Sequence, residues 1–467
     1  MTIGNNPKTR RQFLKTSATV AASALVSYNV QATLRDPLAP LSLTKDDVPE
    51  SDKFPLGVAC GDVTSSQALL WTCYEGIYPL KLALWHHKDL TKPILLINVA
   101  RADGGFVHVD LNGLEANQRY QYAFIELNFN AKPVFRSRLG FFRVAPNAND
   151  LVPLQIGAVC CTYNSFEPTI LEHAGERQDL DFFLLLGDTS YNDGAETLDE
   201  FRGKWAQNLS KDGYLALRSA TSVTATLDDH EVENNFNPET IEPDRLQAAK
   251  RAFFENQPIR RSQEQPDRIW RKFRWGRTLE VFVLDCRTER KPSTRNQKNA
   301  QYISRAQMNW LKDSLSQSEA AFKIIMNSVP ISTFPFFSES DRWEGYPNQR
   351  EEILNFIDQE KISGILWVAG DFHFASIGKV DKEGPGKKQQ EILVGPGAQF
   401  PNYLCLPLNL SSQFEWASAR NNYVTLNFDP YKMNIELVYH GGAEDPRLTR
   451  RGEITEIYRT KIHLGKQ

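Results

Sequence analysis

The chain has 467 residues, a formal net charge of −3 at neutral pH, 41% hydrophobic residues and 24% charged ones. That balance is that of an ordinary globular protein and gives no compositional case for disorder or a membrane barrel, while the acidic sign argues against nucleic acid as a structural partner. The length exceeds one ordinary core, and two globular units behind a leader are expected.

The first element is the leader. Thr9-Arg10-Arg11-Gln12-Phe13-Leu14-Lys15 precedes an uncharged stretch rich in Ala, Ser and Val that ends near Val30-Gln31-Ala32. Paired arginines before a mildly apolar run, too short and too polar to span a membrane, predict a twin-arginine signal peptide over residues 1–32. The twin-arginine export machinery is therefore an expected partner, the mature chain is expected in the periplasm or outside the cell, and it is expected to have no transmembrane segment. Loss of Lys8, Arg10, Arg11 and Lys15 makes the mature chain more acidic still. Six cysteines in an exported chain raise the question of disulfides, and Cys60 with Cys73 is the candidate pair. Cys286 and Cys405 read as buried thiols.

After a lead segment at 33–53, short apolar runs at 68–71, 81–85, 93–97 and 120–124 are separated by turn residues. Strands of that size and spacing predict a β-sandwich over 54–145. Leu114 followed by Tyr120 and Tyr122 has the spacing of a tyrosine corner, so a fibronectin-III-like fold is expected. Its histidines, His86, His87 and His108, have no acidic cluster beside them.

Past a linker at 146–153 the pattern changes to apolar strands alternating with helical stretches, which predicts an α/β unit over 153–445, with a tail at 446–467. Chemistry-bearing residues gather where strand runs end. Cys160-Cys161 closes the run 154–159, Gly187-Asp188-Thr189-Ser190-Tyr191 follows 182–186, Asp228-Asp229-His230-Glu231 follows 222–227, and Gly370-Asp371-Phe372-His373 follows 364–369. Ligands at the carboxyl ends of neighbouring strands meet in space although the chain separates them. A carboxylate offers two coordinating oxygens, so Asp188 can bridge two cations, and the Tyr191 phenol can fold back on the same ion, a preference for a hard, oxidised metal.

This ordered set resembles the calcineurin-like metallophosphoesterase superfamily and, in detail, the PhoD-like alkaline phosphatase family. The resemblance covers 54 to roughly 440 and rests on the stretch 54–59, on Cys161, and on the motifs at 187–191, 228–235, 284–287, 343–346 and 370–373. It implies a four-layer α/β-sandwich metallophosphoesterase domain behind the N-terminal sandwich, and an exported phosphatase or phosphodiesterase acting on small phosphate esters. It further implies Fe3+ and Ca2+ as cofactors, with Zn2+ or Mn2+ as alternatives for the second ion. By the resemblance, Cys161, Asp188, Tyr191 and His373 hold the ferric ion, Asp188 bridges, and Asp229, Asp371 and Asn327 serve the second ion, where oxygen donors suit calcium. His230 corresponds to a phosphate-facing acid and Arg202 to an arginine that steadies the phosphate.

Thr189-Ser190 and Thr162 depart from the residues common in that family, at the pocket wall and not at metal-binding atoms. Two other readings remain at this stage: a phospholipase-type diesterase on lipid head groups, with Phe334, Phe336 and Phe337 as candidate surface aromatics, and an inactive secreted binding protein.

Overall fold

The computed structural model describes residues 30–33, 48–87, 93–335, 337 and 340–464. Residues 1–29 of the expected signal peptide, the paired arginines among them, lie outside the described residues, and its last three, 30–32, lie in the first strand. No helix among the described residues is long and apolar enough to cross a membrane.

The amino-terminal part is built of β1 (Val30–Thr33), β2 (Val58–Gly61), β3 (Gln67–Cys73), β4 (Leu80–His86), β5 (Leu95–Val99), β6 (Phe106–Asn112), β7 (Arg119–Leu127), β8 (Pro133–Arg136) and β9 (Gly140–Arg143). Two β layers result, one of β1, β6, β3 and β2, the other of β5, β4, β7 and β8 with β9 beside β7. Period-two alternation explains why they stack: Leu80, Leu82 and Leu84 enter the central core, while Ala83 and Trp85 meet Ala123 and Ile125 on the outer side. The tyrosine corner forms, with the Glu115 amide donating to the Tyr120 hydroxyl at 3.1 Å.

The rest of the chain continues with β10 (Leu154–Val159), α1 (Thr169–Gly175), β11 (Phe182–Leu185), α2 (Leu198–Leu209), α3 (Asp212–Ala220), β12 (Ser222–Ala225) and α4 (Pro243–Asn256). There follow β13 (Arg271–Trp275), β14 (Leu279–Val283), α5 (Arg305–Gln317), β15 (Phe322–Met326), α6 (Pro347–Gln359), β16 (Ile365–Ala369), β17 (Ala375–Lys379) and β18 (Gln390–Leu393). The last strands are β19 (Phe414–Ser418), β20 (Asn422–Asp429), β21 (Asn434–Gly441) and β22 (Thr455–His463).

Among the described residues these strands form two large sheets, ordered β1-β6-β3-β2-β12-β11-β10-β20-β21-β22 and β13-β14-β15-β16-β18-β17-β19. Ile156, Phe182 and Leu184 of the first face Val281, Ile324 and Val368 of the second across one core. The first sheet's other face carries Phe183 and Leu185 against Phe201, Trp205, Leu217 and Phe253 of α2–α4. On the second sheet's outer face, Phe282 and Ile325 meet Met308 and Leu311 of α5 and Ile353 of α6. The layers therefore run helix, sheet, sheet, helix, which is the mixed α/β architecture expected. β10, β11, β12 and β14–β16 are buried along their lengths except for Gln155, which accounts for their predominantly apolar sequences.

One open question is answered and one expectation is corrected here. Cys60 and Cys73 are unpaired. Cys60 stands opposite Leu70, three residues from Cys73, so the two thiols point to opposite faces of the sheet, one into the central core and the other toward the helices. The segment 446–467, expected as a tail, carries β22, which pairs antiparallel with β21 over its length. Cys286 and Cys405 are buried thiols, as expected.

Candidate metal centre

Parallel pairing of β10, β11 and β12 brings their carboxyl ends side by side. The chain turns sharply there, and four side chains of interest sit on residues with left-handed backbone: Cys161 (φ 54°), Asp188 (φ 52°), Asp371 (φ 67°) and His373 (φ 55°). Non-glycine residues adopt such angles at a cost, and clustered occurrences mark positions held for function. Gly187 (φ 104°) makes the approach possible, because a Cβ there would lie 2.5 Å from that of Asp228.

Glu231 pins the loops. Its carboxylate accepts the backbone amides of Asp188 (3.1 Å), Thr189 (2.6 Å) and Asp228 (2.9 Å), and burial pushes its carboxyl up to about 7. Cys161 Sγ lies 3.5 Å from Asp188 Oδ2, and the neighbouring Cys160 thiol donates to the Val394 carbonyl.

The polar atoms then converge in overlapping groups. Cys161, Asp188 and His373 place ligand atoms within 4.8 Å of one another, as do Asp188, Asp229 and His230, and as do Asp228, Asp229 and Asp371. The Tyr191 hydroxyl lies 3.1 Å from Asp188 Oδ2 and 3.2 Å from His373 Nε2. Asp188 belongs to two groups and Asp229 to two, the connectivity of a pair of adjoining subsites. One offers sulfur, phenol oxygen, imidazole nitrogen and carboxylate; the other is dominated by carboxylate oxygen.

The electrostatics ask for cations. Burial, reinforced by neighbouring carboxylates, raises Asp188 and Asp371 well above the usual carboxylate range. Burial likewise raises the Cys161 thiol and the Tyr191 phenol, and it lowers His373 to about 4, leaving a neutral imidazole free to donate a lone pair. So many buried acids within one cleft fit a metal site, since a bound cation stabilises every one of the deprotonated forms.

One protein cation is already present. Arg287 is fully buried and donates to Asp228 from Nε (2.6 Å) and Nη2 (3.1 Å), to Asp371 at 3.3 Å, and to Asp341. Against the cost of burial, Arg287 and His230 hold Asp229 down to about 2. His230 donates its backbone amide to Asp188 and Asp229, and its Nδ1 is 2.8 Å from Asp193 Oδ2. Burial alone would depress its pKa, but Asp193 and Asp229 outweigh that and raise it. Its ring lies on Tyr191, with centroids 4.0 Å apart.

Of the residues expected at the site, Cys161, Asp188, Tyr191, Asp229, His230, Asp371 and His373 are brought together. Asn327 is held elsewhere: its amide oxygen accepts from Cys286 (2.7 Å) and the Trp343 indole (3.3 Å). Arg202 is held elsewhere too, bonded to Glu255 (2.7 and 2.8 Å) and Asp103 (2.8 Å) over the Phe106 ring, an ion-pair network away from the clustered acids. Phe334 is buried in an aromatic cluster, Phe337 lines the cleft, and Phe336 lies outside the described residues. Sequence reading assigned no role to Glu231, Asp193, Asp341 or Arg287; Glu231 and Arg287 stood inside the quoted motifs, where an acid and a base with no surface purpose were the available signal.

Comparison with known proteins gives a consistent picture. A family model described as PhoD-like phosphatase matches residues 155–403, and one described as the N-terminal domain of PhoD-like phosphatase matches 41–146. The chain is 26% identical over 436 residues to alkaline phosphatase D of Bacillus subtilis (strain 168), covering 79% of this chain and 72% of that protein. Its fold is similar to the solved structure of PhoD, with a TM-score of 0.76 at 21% identity over 90% of this chain and 94% of the other. A purple acid phosphatase from yellow lupin seeds (Lupinus luteus) is similar at a TM-score of 0.60 and 13% identity, over 87% and 73% of the two chains.

Proposed function

The chain belongs to the PhoD-like phosphatase family, and from that premise we propose that it is an exported, metal-dependent phosphoric-ester hydrolase acting on phosphomonoesters, phosphodiesters or both. The observation that carries the reading is the sharing of Asp188 between two ligand groups in one buried, acid-rich cleft. Cys161, Tyr191 and His373 with Asp188 would hold a ferric ion, and Asp188, Asp229 and Asp371 a calcium or another divalent ion. Two cations bound there would supply Lewis acidity toward the phosphoryl oxygens and a water acidified toward neutrality.

The chain's own groups do the rest. His230 keeps a proton on the ring nitrogen not engaged by Asp193 and gives it to the departing alkoxide. Asp193 accepts from Nδ1–H, which favours the ring protonated at both nitrogens and fixes its orientation. Arg287 keeps Asp228, Asp229 and Asp371 in place and spreads positive charge beneath the reacting phosphate. Burial of Arg287, Asp228 and Asp229 leaves little bulk water to screen them. We read 1–32 as a twin-arginine leader, 54–145 as a fibronectin-III-like unit supported by its two β layers and tyrosine corner, and 153–445 as the hydrolase unit.

The test is the metal content of protein purified after export, by plasma mass spectrometry with a visible spectrum, for the natural chain and for Cys161→Ala. Near-stoichiometric iron and calcium with a charge-transfer band, both lost in C161A together with ester hydrolysis, are expected. Protein that takes up no metal on reconstitution and hydrolyses no ester would sink the reading.

A further inference from the structure

The cleft above Asp371 and His373 has a volume of about 560 Å3, and its walls differ in chemistry. One wall is aromatic, where Phe337 and Phe372 stack with ring centroids 4.6 Å apart and planes 13° apart. Three arginines, Arg290, Arg295 and Arg342, line the cleft as well, Arg342 lying over the Phe372 ring. Arg290 is 3% exposed and is neutralised by Asp341, the carboxylate that also receives Arg287.

Arg295 is different. It lies exposed at the mouth, donates to the Ser340 carbonyl at 3.1 Å, and has no carboxylate partner among the described residues. Its loop is anchored on both sides: Ser293 bonds to Glu239 through its amide and its hydroxyl, each at 2.7 Å, and the Asn296 amide donates to the Gly345 carbonyl at 3.0 Å. The cation thus stands, held in place, over a floor that on the reading above receives the scissile phosphate.

We propose that this site selects phosphate esters whose alcohol part carries a second anionic group, which Arg295 receives at the mouth while the scissile phosphate lies on the floor. The inference rests on the phosphoester-hydrolase reading. A guanidinium binds carboxylate and phosphate alike through paired N–H donors, and the intervening carbon chain lies along the Phe337–Phe372 wall.

The experiment uses the metal-loaded full chain and three esters of one length: 3-hydroxypropyl phosphate, the phosphate ester of 3-hydroxypropanoate, and propane-1,3-diol bisphosphate. For the natural chain, KM for the charged esters is expected about tenfold below that for the neutral one. Arg295→Gln should erase that gap with kcat within about twofold, and Arg295→Lys should restore part of it. The carboxylate and bisphosphate arms show which anion is preferred. Calorimetric binding of propane-1,3-bisphosphonate against propylphosphonate, in the natural chain and in R295Q, should show the same gap without turnover. Equal KM values in the natural chain, or a gap that survives R295Q, overturn the proposal. Absence of turnover of all three esters overturns the hydrolase reading instead, and the calorimetric comparison then decides the anion site by itself.

Discussion

Arg287 sits among four carboxylates with no exposure to solvent, an arrangement in which the ions depend on one another more than on water. Removing one member of such a set leaves the others buried and unpaired. Arg287→Met is therefore expected to lower the stability of the metal-free protein by about 3–5 kcal/mol, read as a shift in the denaturation midpoint. A second outcome is expected one bond further out. Asp193→Asn leaves the clustered acids, Cys161 and His373 alone but removes the negative charge that favours protonated His230, so kcat should fall by about 10- to 100-fold for esters of alkyl alcohols and little for p-nitrophenyl esters, whose leaving group needs no proton. Steady-state rates across a leaving-group series decide it. At this scale the sequence shows which side chains end strands, and the acids, the histidines and Cys161 were legible for that reason. Where an amide oxygen points was not: Asn327 follows its strand as expected, yet Cys286 and Trp343, far apart in the chain, take its oxygen.

His108 on β6 lies against the carboxyl end of α4, its Nε2 3.2 Å from the Gln257 carbonyl, so that a strand of the amino-terminal part and a helix of the hydrolase part share one contact. Burial lowers its pKa from the ordinary 6.5 to about 4, which means the folded protein holds it neutral where the unfolded chain protonates it. Its contribution is complete above pH 6.5 and is lost as the pH falls toward 4, by an amount on the order of 1–3 kcal/mol. In His108→Gln the slope of stability against pH across that window should be shallower, as urea melts at several pH values will show; an unchanged slope refutes the assignment. Elements buried on both faces were the legible ones, because β11 and β16 spell unbroken apolar runs and β10 and β15 are interrupted only by Gln155 and Lys323. Strand β22 was not, since Thr455–His463 is mostly exposed and carries charges at Glu456, Arg459 and Lys461, which suits a sheet edge and disguises a strand.

The two parts of the molecule share a sheet, through the pairing of β2 with β12 at Gly61 and Val223 and through Arg260, which binds Asp62 and Asp110. A chain so joined should unfold as one unit. Scanning calorimetry of the full chain is expected to give a single transition, and two resolved transitions would mean that the amino-terminal layers fold independently. The change of pattern near residue 150 was legible; this continuity was not, because a shared hydrogen-bond ladder leaves no mark on composition. The position of the last strands has a consequence for biogenesis. β10, whose end presents Cys161, is flanked by β11 on one side and by β20 on the other, and β20 is backed in turn by β21 and β22. A ribosome releases those three strands some 260 residues after β10. The sheet beneath the clustered side chains thus stays open along one side until β20 emerges, so β10, β11 and β12 must wait for a distant part of the chain before the sheet around Cys161 is complete.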